Sequence, residues 1–88
     1  MVEIEIYSSL WCPFCYRAKR LLKNKGAAFA EYDVDGEPAR RSEMVSRSGG
    51  RRTVPQIFIG GTHVGGSDEL ATLERAGRLD VMLEAGTP

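Results

Sequence analysis

Eighty-eight residues, 42% hydrophobic and 27% charged, are the size and make-up of one globular domain, taken here as 1–88, with no room for a second. Twelve basic and twelve acidic residues cancel, so net charge argues for neither a nucleic acid nor a membrane partner. No stretch approaches the roughly 20 apolar residues of a membrane span, and Met1-Val2-Glu3 does not open like a signal peptide, so a cytoplasmic location is expected.

Val2, Ile4 and Ile6 alternate with Glu3 and Glu5, the period of a half-buried strand, and Ser8-Ser9 break the run. From Pro13 the period becomes helical. Phe14, Ala18, Leu21 and Leu22 share one side, while Arg17, Lys19, Arg20 and Lys23 fall mostly on the other. Proline suits the first turn, where its missing N–H costs nothing, and Gly26 ends the helix after Lys25. Ala27 to Val34 is a second strand. Glu37 to Arg47 is a helix with a thin apolar stripe of Ala39, Met44 and Val45, closed by Ser48-Gly49-Gly50. Val54 to Ile59 is a strand, Gly60-Gly61 a hairpin turn and Thr62-His63-Val64 the return strand. Ser67 reads as the N-cap of a helix. Leu70 and Leu73, then Leu79, Met82 and Leu83, supply one or two C-terminal helices with Gly77 as the break.

The order strand, helix, strand, helix, strand, strand, helix predicts an α/β fold. Its first three elements form a right-handed βαβ unit with parallel strands. The hairpin adds antiparallel strands, giving a four-stranded mixed sheet with helices on both faces. Ten of the twelve basic residues lie between Arg17 and Arg52, against five acids. That bias reads as solvated helix faces, or more sharply as a positive field around an anionic substrate.

The only two cysteines, Cys12 and Cys15, sit in Trp11-Cys12-Pro13-Phe14-Cys15, between the first strand and the first helix. In a reducing cytosol such a pair is catalytic or metal-binding more often than structural. A disulfide closing so short a loop also stabilises little. A closed zinc site needs four ligands, and two cysteines with one histidine cannot build one within a single chain, although zinc shared between two chains stays open. A Cys-x-x-Cys beside a βαβ pattern reads instead as a thioredoxin-like redox motif. The free N–H groups and positive end of a helix stabilise a thiolate. Cys12, at the N-cap and open to solvent, is therefore the expected nucleophile, with a pKa well below the free value of about 8.5. Cys15, nearly a turn inside, is the expected resolving thiol. His63 is expected on the hairpin, remote from Cys12, and Tyr7 in the core or at its rim.

Cys12-Pro13-Phe14-Cys15, Thr53-Val54-Pro55 and Gly65-Gly66-Ser67-Asp68, in this order and strand–helix context, together resemble a dithiol (class I) glutaredoxin of the thioredoxin fold. The resemblance is closest to the short bacterial, glutaredoxin 3 type, and it runs from about Val2 to Leu83. It implies a glutathione-dependent thiol–disulfide oxidoreductase with a cis Val54–Pro55 bond facing the cysteines. The Val54 backbone is then free to pair with the cysteine moiety of glutathione, as an added strand would. The resemblance further implies that the Ser67 and Asp68 N–H groups take the γ-glutamyl carboxylate at a helix start, and that the Asp68 side chain takes the amino group. A basic residue before Thr53 would meet the glycyl carboxylate. Arg51 and Arg52 both qualify, and Arg52, next to the motif, is favoured. The implied glutathione contacts are thus Ser9, Phe14, Arg52, Thr53, Val54, Pro55, Gly66, Ser67 and Asp68, with no metal ligands.

Three positions depart from the family pattern. Ser9 stands where many members have a lysine that contacts the glycyl carboxylate and helps the thiolate. Phe14 replaces a tyrosine. Trp11 is a thioredoxin habit, and it suggests some overlap with thioredoxin substrates. The resemblance implies no tightly bound cofactor, with glutathione as reducing cosubstrate. Its partners are disulfide-containing or glutathionylated proteins, with ribonucleotide reductase as one candidate acceptor, and the expected state is a monomer. Two other functions compete. One is a disulfide reductase fed by thioredoxin reductase, against which the Gly66-Ser67-Asp68 segment argues. The other is a dimeric [2Fe–2S] carrier ligated by Cys12 and glutathione, against which the stiff Pro13 argues.

Overall fold

The computed structural model describes residues 2–85. β1 (Ile4–Ser8), α1 (Pro13–Asn24), β2 (Ala30–Asp33), α2 (Pro38–Arg47), β3 (Gln56–Ile59), β4 (Thr62–Gly65), α3 (Ser67–Arg75) and α4 (Leu79–Ala85) follow one another along the chain. The sheet order is β2-β1-β3-β4. β1 runs parallel to β2 and antiparallel to β3, and β3 is antiparallel to β4. This is the four-stranded mixed sheet expected from the element order.

Strand alternation divides the core into two layers. Ile4 and Ile6 on β1 face the same way as their partners Ile59 and Ile57 on β3. They pack with Ala18 and Leu22 of α1, Leu70 of α3 and Leu79 of α4. Tyr7 and Phe58, of the opposite parity, face the other layer with Val34, just past β2, and Met44 of α2. Both layers therefore come from the same two strands read at period two.

The second layer also carries a polar net tying α2 to the sheet. The Arg47 guanidinium donates Nη1 to Glu5 Oε2 (3.0 Å), Nη2 to Glu5 Oε1 (2.9 Å) and Nη1 to the Tyr7 hydroxyl (2.7 Å). Tyr7 passes its own proton toward Glu43 at 2.5 Å, and the Tyr32 hydroxyl donates to Glu5 at 3.1 Å. The guanidinium also lies 4.1 Å from the centre of the Phe58 ring. Hydrogen bonding from Arg47 holds the Glu5 carboxyl below the usual carboxylate range. Burial, then the bond to Glu43, pushes the Tyr7 hydroxyl up to about 12.

Local boundaries differ from the sequence expectations in three places. β1 continues through Tyr7 and Ser8, both buried, because Ser8 donates to Glu31 of β2 at 2.6 Å and is not a break. β2 begins only at Ala30, where its pairing with Glu5 starts, so Ala27–Phe29 lead into the strand without belonging to it. The N-cap of α3 is Gly66, with Ser67 as the first helical residue. The Glu69 carboxylate reaches back to accept from the Gly66 N–H at 2.6 Å, so the side chain that caps this end is that of Glu69 and not Ser67. Gly60 and Gly61 have φ of 60° and 81°, the left-handed pair that a two-residue hairpin turn requires.

Candidate functional site

Three segments meet at one end of the sheet: the start of α1, the loop entering β3 and the start of α3. The first is built around Cys12, the N-cap of α1, whose backbone is extended (φ −127°, ψ 101°) and whose sulfur accepts from the Cys15 N–H at 3.1 Å. Pro13 follows in the first turn. Cys12 and Cys15 are joined in a disulfide, with Cα atoms 5.2 Å apart. Cys12 is 7% exposed and Cys15 1%. The pair is thus unequal in the expected sense, but Cys12 is more sheltered than a residue open to solvent.

The shelter comes from the second segment. The Val54–Pro55 peptide is cis, and the Val54 carbonyl oxygen stands 3.7 Å from Cys12 Sγ. Pro55 is buried and Val54 half-buried, while Thr53 is exposed. The third segment contributes the first turn of α3. Its first intrahelical bond runs from Leu70 N–H to the Gly66 carbonyl, which leaves the N–H groups of Ser67 and Asp68 without intrahelical partners.

Between these segments lies an open groove of about 140 Å³, lined by Phe14, Arg51, Thr53, Val54, Pro55, Gly66, Ser67, Asp68 and Glu69. Seven of the nine residues implied as glutathione contacts line it. Arg52 does not: its carbonyl accepts from Arg41 at 3.4 Å, and Arg51 is the arginine at the groove. Ser9 lies apart, in a separate depression with Ser8, Leu10, Tyr16, Lys19, Glu31 and Asp33.

The other two lining residues are Arg51, the less favoured of the two arginines expected from the sequence, and Glu69, which the sequence reading does not single out. Arg51 donates Nη1 to Glu69 Oε1 at 3.1 Å, and Glu69 also caps Gly66. The Gly66 N–H, then burial and Arg51 in that order, set the Glu69 carboxyl, with a net shift downward, so the groove holds an ionised Arg51–Glu69 pair at neutral pH. Glu69 was legible in principle, as the acidic residue three positions after the N-cap, had Gly66 rather than Ser67 been taken for the cap. Gly65 makes room for this carboxylate. Its φ is +119°, and a Cβ there would collide with Glu69.

Trp11 is 88% exposed, and Leu10, Phe14 and Tyr16 are exposed beside it. The segment that carries the disulfide therefore presents an apolar rim. His63 sits on β4, its ring 4.9 Å from that of Phe58, and it makes no contact with the cysteines. Burial, then Arg51, holds its imidazole below the usual range.

The chain is similar to known proteins over nearly its full length. A family profile described as Glutaredoxin matches residues 4–64. A glutaredoxin of Pseudomonas aeruginosa is 54% identical over 85 residues, covering 97% of this chain and all of that protein. Glutaredoxin 3 of Escherichia coli K12 is 51% identical over 84 residues, covering 96% and all of it. The crystal structure of a buckwheat glutaredoxin–glutathione complex superposes with a TM-score of 0.87 at 33% identity, covering 97% of this chain and 79% of that one.

Proposed function

The chain belongs to the glutaredoxin family, and from that premise we propose how its groove and its two cysteines carry out the reaction. The protein is a thiol–disulfide oxidoreductase that uses glutathione as cosubstrate. The observation that supports the residue assignments is the groove itself, whose lining includes Ser67 and Asp68 at the start of α3 and Val54, the residue whose carbonyl stands 3.7 Å from Cys12 Sγ.

In the reduced protein Cys12 is the nucleophile. The Cys15 N–H aimed at its sulfur and the positive end of α1 favour the thiolate over the thiol. In the monothiol route this thiolate attacks the glutathione sulfur of a mixed disulfide. The Cys12–glutathione bond forms, the original S–S bond breaks, and the substrate leaves as its thiolate and takes up a proton. A second glutathione thiolate attacks the glutathione sulfur held on Cys12. Oxidised glutathione departs and the Cys12 thiolate returns. In the dithiol route Cys12 attacks one sulfur of a protein disulfide, and the Cys15 thiolate then attacks Cys12 Sγ. That step releases the reduced substrate and forms the Cys12–Cys15 disulfide, which two glutathiones reduce in turn.

Glutathione lies in the groove with its cysteine moiety extended along Val54, whose N–H and C=O it pairs as an added strand would. The Ser67 and Asp68 N–H groups take its γ-glutamyl carboxylate at the start of α3, and the Asp68 carboxylate takes the amino group. Arg51, in place of Arg52, is the cation available to the ligand's carboxylates, and Phe14 walls the groove beside Cys12. The protein substrate, a disulfide or a glutathionylated chain, rests on the rim formed by Leu10, Trp11 and Tyr16.

The test is turnover of a glutathionylated peptide with glutathione, glutathione reductase and NADPH as the electron source. Steady NADPH consumption that depends on glutathione supports the reading. Turnover that needs thioredoxin reductase and ignores glutathione overturns it.

A further inference from the structure

Gln56 is the first residue of β3 and is wholly buried. A buried amide needs its partners, and this one has them on both sides. Gln56 Nε2 donates to the Thr53 carbonyl (3.0 Å) and contacts Thr53 Oγ1 (3.2 Å), while Oε1 stands 2.6 Å from His63 Nε2. A carbonyl oxygen only accepts, so the amide nitrogen must face Thr53 and the amide oxygen must face His63. Nε2 of His63 therefore carries a proton and donates, and the titrating nitrogen is Nδ1. Phe58, packed against the imidazole, backs the histidine.

The consequence lies one atom further along the chain. The Thr53 carbonyl and the Val54 N–H belong to the same peptide unit, which is trans, the cis bond being the next one. In a trans peptide these two groups point in opposite directions. Drawing the Thr53 carbonyl inward onto Gln56 turns the Val54 N–H outward. Among the described residues that N–H has no hydrogen-bond acceptor.

We infer that Gln56, braced from behind by His63, is a positioning residue for the ligand groove: it fixes the Thr53–Val54 peptide so that the Val54 N–H faces the cysteine moiety of glutathione. The inference rests on the reading that Val54 pairs with that moiety. It gives a supporting role to His63, whose side-chain hydrogen bond is to Gln56. Protonation of His63 leaves its Nε2–H in place, so the brace holds on both sides of the imidazole titration.

The test titrates S-methylglutathione, which cannot exchange disulfides, into ¹⁵N-labelled protein in the disulfide form. It compares wild type with Gln56→Leu, His63→Ala and His63→Gln. In wild type the Val54 amide resonance moves on saturation. Gln56→Leu weakens binding about 5- to 10-fold, the scale of one hydrogen bond. His63→Ala weakens it about 2- to 3-fold, and His63→Gln, which can again donate an amide proton to Oε1, restores it. The rate of Cys12 alkylation in the reduced variants stays at the wild-type value, which a general loosening of the site would not allow. A folded Gln56→Leu that binds with wild-type affinity and the wild-type Val54 shift overturns the inference while leaving the groove reading intact. Should Gln56→Leu not fold, an unchanged affinity in His63→Ala does the same. A wild-type Val54 amide that stays put at saturation overturns the groove reading instead, and the inference with it.

Discussion

Replacing Arg47 by methionine keeps most of the side chain's volume and removes its charge. The structure gives the size of the effect. Glu5 loses both of its guanidinium contacts, at 3.0 and 2.9 Å, and keeps only the Tyr32 hydroxyl at 3.1 Å. Its side chain is 16% exposed and that of Arg47 30%. Stripping one partner from a buried pair costs about 3–5 kcal/mol, and partial exposure brings this down to roughly 2 kcal/mol. The guanidinium over the Phe58 ring adds about 1 kcal/mol. The total, roughly 3 kcal/mol, is a large fraction of the stability of so small a domain. It corresponds to a fall of about 12–24 °C in Tm.

Urea unfolding of wild type, Arg47→Met, Glu5→Gln and the double variant under non-reducing conditions measures the effect. The double variant should recover about 1–2 kcal/mol relative to additivity, because neutral glutamine leaves no orphaned charge. The pH dependence supplies a second signature. Glu5 is held below its ordinary range in the folded protein, so its contribution is present above about pH 4.5 and disappears as pH falls through the folded pKa. The gap between wild type and Arg47→Met therefore narrows on acidification. A loss below about 0.5 kcal/mol, or strictly additive single variants, would refute the reasoning and return this pair to the class of inert surface ion pairs.

Arg51→Gln should raise KM for a glutathionylated peptide about 3- to 10-fold with little change in kcat, and Arg52→Gln should not. Equal effects from the two would contradict the assignment of the groove cation to Arg51. At high pH the raised Tyr7 pKa, about 12, means that the folded protein keeps a proton that the unfolded chain releases near pH 10. Stability is whole below that value and falls between pH 10 and 12, by roughly 2–3 kcal/mol. Tyr7→Phe should flatten the fall in an alkaline unfolding series, and an unchanged slope would remove Tyr7 as its source.

Much of this architecture is legible along the chain because one physical rule dominates each segment. Period-two alternation on β1 marks its faces, and the Cys12-Pro13 start of α1 combines an N-cap with a proline that cannot lie deep in a helix. The glycine pair at Gly60-Gly61 permits a turn that few other residues allow. Legibility stops where two local rules compete or a partner is distant in sequence. Ser67 has the better capping side chain, but Glu69 satisfies the Gly66 N–H from three residues on, and the helix starts one residue earlier in register. Arg51 and Arg52 are equivalent by composition. The salt bridge to Glu69, eighteen residues away, is what brings Arg51 to the groove. The shelter over Cys12 comes from Val54, 42 residues away, which no reading of the Cys-x-x-Cys alone supplies. The pairing of Gln56 with His63 likewise depends on the hairpin fold, since neither residue type marks itself as a positioning group.

The central claim is that Cys12 alone does the chemistry on glutathione while Cys15 only resolves. The most direct measurement is glutathione-dependent turnover of a glutathionylated peptide, run beside reduction of a protein disulfide, on wild type, Cys12→Ser and Cys15→Ser. Cys15→Ser should keep the first activity and lose the second, and Cys12→Ser should lose both. Appreciable deglutathionylation by Cys12→Ser, or its loss in Cys15→Ser, would contradict the account.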